Sequence, residues 1–409
     1  MKKNLSLLFL ANIIKGFYQW SLLILTVKFL STEDVGYFTL AFAVSAPIFM
    51  FFNLQLKSIY VVDHRRTTYD FNYFVIRIVT IILALICLII YSYFNNYNLL
   101  VLLLVGLIKA LESLFDIVHA DFQKKELMKY MSISIISQSI ISFFTFTVVL
   151  YFSNSLVYSL VSVAFLLLMV FLLYDLQVFL KLNHINFKYI KFIKISYLKQ
   201  NNLHFIKRLL LNALPLGISV FIGSYLTNLP RIYVEKYLGI EQLAYFGAMS
   251  YMAIGFFQLL LPIQIILRPR LAKLLKENKW KEFTKYLNLS IFVTVIFGSL
   301  LVFNFYIFGD YILIKVYNEN YTSYLNILLL LMLGQIILTS SGYLNIAVQS
   351  FHIFKIQLLI SVFLLFIVLL LGPILINTMG INGAAYLTLL YAFLSFISYF
   401  TIFIWEKPC

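Results

Sequence analysis

Long apolar runs and short polar breaks alternate along the whole chain. Twelve runs are long enough to cross a bilayer as helices, which takes about 20 apolar residues: residues 5–28, 35–56, 74–95, 98–118, 132–152, 155–178, 209–234, 243–267, 287–308, 322–346, 353–376 and 381–404. The roughly ten-residue alternation of a membrane β-strand is absent, so the pattern predicts helices throughout. Turn-forming residues mark breaks at Asn95-Asn96, Ser153-Asn154-Ser155, Gly309-Asp310 and Met379-Gly380-Ile381-Asn382-Gly383. The first residues, Met1-Lys2-Lys3 before an apolar run, resemble a secretory leader. Lys15 interrupts that run, no small-residue cleavage site follows and further spans come next, so a retained first helix is expected.

Composition agrees. Of 409 residues, 62% are hydrophobic, 18% aromatic and only 11% charged, with a mean hydropathy of +0.95. Soluble domains carry about a quarter charged residues, so a cytosolic enzyme, a secreted domain and a disordered chain are all excluded. The net charge of +15 comes from 31 Lys and Arg against 16 Asp and Glu. With the N-terminus in the cytoplasm, 24 of the basic residues fall on inside segments, three (Lys28, Lys236, Lys315) on outside segments, and Lys15, Arg77, Lys109 and Arg231 at membrane depth. That asymmetry over short loops places both termini inside and accounts for the charge with no nucleic-acid partner. Cys87 and Cys409 lie too far apart to suggest a disulfide framework or a metal cluster.

The longest inside connection, 181–208, separates six spans from six. It divides the chain into an N-terminal bundle (1–180), a basic amphipathic linker (181–208) and a C-terminal bundle (209–409). Two internal echoes support the division. Lys28-Phe-Leu-Ser-Thr-Glu33-Asp-Val-Gly-Tyr37-Phe38 matches Lys236-Tyr-Leu-Gly-Ile-Glu241-Gln-Leu-Ala-Tyr245-Phe246 at an offset of 208. A weaker echo at an offset of 226 sets Lys109, Ser113, Asp116, His119 and Gln123 opposite Gln335, Thr339, Gly342, Asn345 and Gln349. Six spans per half is even, so the expected fold is an all-α integral membrane protein of two six-helix bundles related by a pseudo-two-fold axis along the membrane normal, an arrangement suited to alternating access.

A charge at mid-helix costs about 2.5–3.5 kcal/mol on insertion scales, so polar faces inside these spans mark candidate chemistry. The first span carries Asn12, Lys15 and Gln19 on one face. Lys15 is about 15 Å into that span, too deep to reach the cytoplasmic surface easily, though a snorkelling lysine is the plainer alternative. The fourth span carries Lys109, Glu112, Asp116 and His119 on one face. A structural Lys109–Glu112 ion pair is the plain alternative there. Two carboxylates on one low-dielectric wall can instead take up and release a proton, which makes Glu112 and Asp116 candidates for ion coupling. The seventh span carries Ser224, Asn228 and Arg231, with Pro230 able to loosen the helix. Arg231 is well shaped for a phosphate, or it sits at the outer interface paired with Glu235. Gln335, Thr339, Asn345 and Gln349 on the tenth span could bind sugar hydroxyls or join helices. Residues 186–195 and 268–285 alternate basic and apolar positions and are expected to lie on anionic headgroups. There is no P-loop, GxGxxG, HExxH, CxxC pair or GxSxG, and no long outside loop to hold a polymerase substrate. No catalytic residue, cofactor or metal is expected.

Three stretches carry a family resemblance: Asn228-Leu-Pro-Arg231-Ile-Tyr-Val-Glu235-Lys-Tyr-Leu-Gly239; Lys57-Ser-Ile-Tyr-Val-Val-Asp63-His-Arg65 with Tyr73 and Arg77; and Phe122-Gln123-Lys-Lys-Glu126-Leu-Met128. In their order on the topology, the chain resembles the bacterial polysaccharide/O-antigen (Wzx-type) flippases of the multidrug/oligosaccharidyl-lipid/polysaccharide exporter superfamily. The resemblance implies transfer of undecaprenyl-diphosphate-linked oligosaccharide units from the inner to the outer leaflet of a bacterial cytoplasmic membrane, for capsule or O-antigen. It also implies an ion gradient as the driving force, and lipids, a polysaccharide polymerase and glycosyltransferases as companions. Many relatives have Asp before the arginine of the first stretch, where this chain has Pro230, so no role for an acid there is implied. On this reading Lys15, Lys109 and Arg231 converge on one cationic cavity, with Asn12, Gln19, Asn228 and Gln335 contacting substrate. The alternatives are a multidrug or cation exporter of the same superfamily, which would want a carboxylate-rich cavity, a membrane-embedded polymerase, and a non-transporting scaffold.

Overall fold

The computed structural model describes residues 2–62, 70–183, 200–351 and 353–406, and every regular element among them is a helix. In chain order these are α1 (Lys2–Phe29), α2 (Thr32–Phe52), α3 (Leu56–Val62), α4 (Asp70–Asn95), α5 (Leu99–Lys124), α6 (Met128–Ser153), α7 (Leu156–Val170) and α8 (Leu176–Leu182), the last two joined by a π turn at Phe171–Asp175. Then follow α9 (Gln200–Leu238), α10 (Ile240–Gln258), α11 (Leu261–Lys276), α12 (Trp280–Val316), α13 (Leu325–Ser350), α14 (Phe354–Met379) and α15 (Ile381–Trp405). The basic stretch expected at 186–195, and with it most of the 181–208 linker, lies outside the described residues, as do Asp63, His64 and Arg65.

Ten helical stretches are long and apolar enough to cross a membrane, and α10 with α11, bent by 48° between them, make an eleventh. The twelfth expected span is α5, whose 26 residues reach about 39 Å at 1.5 Å per residue. Its charge sets it apart, with Lys109, Glu112, Asp116 and Asp121 in one helix. Ile82, Phe165, Phe303 and Phe366 are each more than half exposed, a surface suited to acyl chains and unsuited to water. The chain is a multi-pass membrane protein.

Three of the four expected breaks occur where the backbone enters the left-handed region that Asn and Gly tolerate, at Asn96 (φ 53°), Asn154 (φ 46°) and Gly380 (φ 60°). The fourth does not occur. α12 runs unbroken through Gly309-Asp310 to Val316, because Gly309 is a packing residue: a Cβ there would collide with the side chain of Leu325 at the start of α13. α9 likewise continues through Pro230 for 39 residues, so the loosening expected there does not interrupt it. The span expected at 243–267 bends at Leu259-Leu260, and Pro262 stands in the first turn of α11, where its missing N–H costs nothing.

The chain forms two compact units, residues 1–18 with 41–225 and residues 19–40 with 226–409, so the boundaries fall within α1, α2 and α9. In the first unit α5 is central and packs on α3, α4, α6, α7 and α8; Val105, Val118 and Phe122 on it are fully buried. In the second unit α13 is central and packs on α10, α11, α12 and α15; Leu328, Met332, Tyr343 and Ala347 are fully buried. The weaker sequence echo therefore links the central helix of one unit to the central helix of the other.

The helix pair α14–α15 supplies a test of packing. A Cβ on Gly383 would run into the backbone carbonyl of Leu375, whereas a Cβ on Gly334 meets nothing nearer than 3.7 Å. Gly383→Ala is expected to cost about 1–3 kcal/mol and to lower the thermal unfolding midpoint of the detergent-purified protein. Gly334→Ala leaves it unchanged or slightly raised.

Candidate functional site

The site in the first unit is built on α5. Asn98 caps the helix, its Oδ1 accepting from the Val101 N–H at 3.3 Å, and the Leu/Val run that follows fixes its register. Lys109, Glu112, Ser113 and Asp116 then share one face. With Lys15 of α1 and residues of the α2–α3 segment, among them Asn53, Gln55 and Lys57, they line a cavity of about 320 Å³. The α2–α3 turn is made by Leu54 and Gln55 at φ 49° and 51°. Two successive left-handed residues without a glycine store strain on the order of 1 kcal/mol each. The turn carries Lys57 back toward α5.

Nearly every charge on the cavity wall is matched. The Lys109 ammonium donates to Glu112 Oε2 at 2.9 Å and lies over the Phe42 ring, 5.1 Å from its centroid. Lys57 donates to Asp116 Oδ1 at 2.9 Å. The other carboxylate oxygen of Asp116 faces Nη2 of Arg77 at 3.5 Å. Arg77, on α4, is fully buried; its Nη1 donates to the backbone carbonyl of Asn53 at 3.2 Å and also to Asn53 Oδ1. Lys15 makes no ion pair among the described residues, although its charge acts on Glu112. The lining thus holds three lysines against two carboxylates.

The face expected on α5 divides. Lys109, Glu112 and Asp116 look onto the cavity, but His119 does not line it. His119 is buried, with Nε2 2.8 Å from Ser134 Oγ of α6 and 3.4 Å from Asp175 Oδ1 on the π turn. Two residues further, the fully buried Asp121 accepts from Tyr60 at 2.8 Å, Lys125 at 2.9 Å and Asn183 at 3.1 Å. Asp121 ties α3, α5 and the end of α8 together.

Arg231 belongs to the second unit and does not join Lys15 and Lys109 on this cavity lining. It is buried, donating from Nε to Ser250 at 3.0 Å and from Nη1 to Asn228 Oδ1 at 2.8 Å. Its guanidinium lies 4.4 Å from the Tyr251 ring centroid. Asn12 is exposed, its amide donating to Leu8 O at 2.8 Å; Gln19 is exposed and Gln335 half-buried. None of Asn12, Gln19, Asn228 and Gln335 lines the cavity. Sequence reasoning missed Lys57, assigned to a loop, and the partners Arg77, Asn53 and Asp175. Lys57 and Arg77 stood in one of the stretches that carry the family resemblance, but neither was given a place at the site.

No family model matches the chain. The capsular polysaccharide biosynthesis protein CapF of Staphylococcus aureus is 27% identical over 404 residues, covering 98% of each chain. Among solved structures, the lipid II flippase MurJ in an inward closed conformation superposes with a TM-score of 0.72 at 14% identity, covering 100% of this chain and 88% of the other. An inward-facing multidrug resistance MATE family transporter of the MOP superfamily superposes with a TM-score of 0.65 at 11% identity, covering 96% and 93%. The all-α exporter fold expected from the sequence is the fold of this chain, and its resemblance to the polysaccharide exporters is borne out.

The two carboxylates of the cavity differ in what depends on them. Asp116→Asn leaves the fully buried Arg77 without its carboxylate and is expected to destabilise the protein by about 3–5 kcal/mol. Glu112→Gln leaves Lys109, whose side chain is 17% exposed, a neutral amide acceptor in place of the carboxylate, at a smaller cost of about 1–2 kcal/mol. Thermal melts of both variants in one detergent check the order.

Proposed function

We propose that this chain is a flippase that carries undecaprenyl-diphosphate-linked oligosaccharide units from the cytoplasmic to the outer leaflet of a bacterial cytoplasmic membrane, for capsule or O-antigen synthesis. The observation that carries the reading is Lys15, an ammonium with no ion-pair partner among the described residues, on a cavity wall that holds three lysines and two carboxylates. A cavity built for organic cations would have the opposite excess. Its volume of about 320 Å³ falls in the range of small-ligand sites, roughly 300–1,000 Å³, enough for a diphosphate while the polyprenyl chain stays in lipid. The full-length likeness to a capsular polysaccharide biosynthesis protein supports the cargo class.

In this reading Lys15 and Lys109 bind the diphosphate. Its arrival draws Lys109 from Glu112 and Lys57 from Asp116, since one ammonium cannot fully satisfy two anions. The freed carboxylates then take up a proton or a sodium ion, which couples transport to a gradient. Arg231 with Asn228, and Asn12, Gln19 and Gln335, contact the cargo at other stages. The halves 1–180 and 209–409 alternate access by rocking, with both termini cytoplasmic. Polymerase and glycosyltransferases act before and after this step.

Two measurements test the reading. Purified protein in proteoliposomes loaded with lipid-linked oligosaccharide should move it between leaflets without changing its length; a longer glycan would identify a polymerase instead. Lys15→Ala and Lys109→Ala should each lower the flipping rate at least about tenfold, the loss of one charge-assisted contact to phosphate. Full rates in both variants would remove the cationic-cavity mechanism. Unchanged pH and sodium dependence in Glu112→Gln and Asp116→Asn would remove the coupling role.

A further inference from the structure

Behind the cavity wall, the first unit holds a second polar cluster that the flippase reading does not use. Asp175 sits on the π turn Phe171–Asp175 within a predominantly apolar helical stretch, Leu156–Leu182. It is fully buried. One carboxylate oxygen, Oδ1, accepts from the Ser134 hydroxyl at 2.7 Å, and the other, Oδ2, has no hydrogen-bond partner among the described residues. Ser134, also fully buried, lies 2.8 Å from His119 Nε2 and accepts from Gln138 Nε2 at 2.7 Å. His119 is enclosed by the rings of Phe115 and Phe122, with centroids 6.1 and 6.2 Å away. Single π turns within α-helices occur mostly at functional positions.

A hydrogen-bond and charge ledger limits the states of this cluster. The Ser134 hydroxyl has one proton and two acceptor sites, and Gln138 occupies one of those sites. Two neutral arrangements leave no hydroxyl proton of the cluster without an acceptor. In one, a charged imidazolium donates from Nε2 to Ser134 Oγ, and Ser134 donates to an ionised Asp175. In the other, a protonated Asp175 donates from Oδ1 to Ser134 Oγ, and Ser134 donates to Nε2 of a neutral imidazole. They differ by moving one proton from Nε2 to Oγ and another from Oγ to Oδ1, with no heavy atom displaced. Removing the shared proton leaves a single anion buried in a low-dielectric region, one oxygen of it unpartnered, which is costly.

We propose that His119, Ser134 and Asp175 form a buried proton-binding site in which one proton is shared between imidazole and carboxylate through the serine hydroxyl. The charged and titratable groups facing it are Asp116 on its own helix, Lys57 of α3 and Lys15 of α1 from the cavity side, and the phenols of Tyr174 on the π turn and Tyr130 of α6. Asp116 is three residues from His119 along α5. Proton occupancy therefore alters by one charge the field in which Lys57 and Arg77 hold Asp116. The site does not depend on which cargo the cavity carries, and its test involves no transport.

The full-length protein, labelled with ¹⁵N-histidine and ¹³C-aspartate and held in lipid nanodiscs, is titrated with acid and base from about pH 5 to 10, a range that brackets ordinary imidazole ionisation, with and without sodium chloride. The His119 signal is identified among the five histidines by its loss in His119→Gln. The proton is expected to be present at low pH as an imidazolium or as a protonated Asp175 carboxyl, and to leave as pH rises, at a midpoint unaffected by sodium. Asp175→Asn should weaken proton binding at His119 at least about tenfold, one pH unit, and Asp175→Glu should restore it. A neutral imidazole beside an ionised Asp175 across the whole range, a proton that never leaves, a midpoint displaced by sodium, or a midpoint unmoved in Asp175→Asn would each overturn the proposal. The wild-type titration decides the matter even where Asp175→Asn does not fold.

Discussion

The structure of the first unit depends on how Asp116 is neutralised. α5 holds four charged residues, Lys109, Glu112, Asp116 and Asp121, within the body of one span, and each charge at mid-span costs about 2.5–3.5 kcal/mol unless matched. Asp116 is matched from two sides, by Lys57 at 2.9 Å and Arg77 at 3.5 Å. Those contacts require the left-handed turn at Leu54 and Gln55, which returns α3 to α5, and the close approach of α4, whose Arg77 is sealed from solvent and anchored on Asn53. One carboxylate thus fixes the positions of three helical segments around it. Lys109 and Glu112 match within α5 itself and impose no such constraint.

The same matching defines what the cavity can bind. A wall of fully compensated charges would be a structural feature and nothing more. Lys15 breaks the balance, because it stands on the lining with no ion pair among the described residues while Glu112 is already engaged by Lys109. The pairs that remain are exchangeable in principle. Under the proposed function an incoming anion competes with Glu112 and Asp116 for the same ammonium groups, so that binding cargo and releasing carboxylates would be one event. This links affinity for an anion to affinity for a cation without a separate coupling device, in the sense that a ligand shifts an equilibrium only through its differential interactions.

Much of this was legible in the sequence, for reasons that also explain what was not. Hydropathy finds helices because a membrane-spanning backbone must satisfy its own hydrogen bonds, and the helical period finds one polar face on α5 because residues 3 and 4 apart are neighbours. Gly309-Asp310 misled because glycine serves two ends: turn conformation, or close packing under a neighbour such as Leu325. Lys57 was assigned to a loop because nothing local shows that the chain doubles back. Arg77 and Asp175 each sit alone among apolar residues, and a single polar residue has no period. Their partners come from helices distant in sequence, Asn53 and Asp116 for one and Ser134 and His119 for the other. His119 was placed on the cavity face by spacing, and around the helix it does lie within about 20° of Glu112, but it stands about 10 Å further along the axis, where Ser134 of α6 and Asp175 of the π turn enclose it.

That displacement along the axis gives α5 two chemically different stretches. Its cavity side holds the charges of Lys109, Glu112 and Asp116 on the lining. Its inner side, at His119, meets a carboxylate and a hydroxyl sealed among aromatic rings. A rigid helix transmits charge as well as position: any change in ionisation at His119 or Asp175 acts on Asp116 across one turn, at an effective dielectric well below that of water. Asp116 is in turn the group on which Lys57 and Arg77 close. A helix this polar is kept in a membrane because its charges are matched stretch by stretch, by Lys109 at Glu112, by Lys57 and Arg77 at Asp116, and by Ser134 and Asp175 at His119.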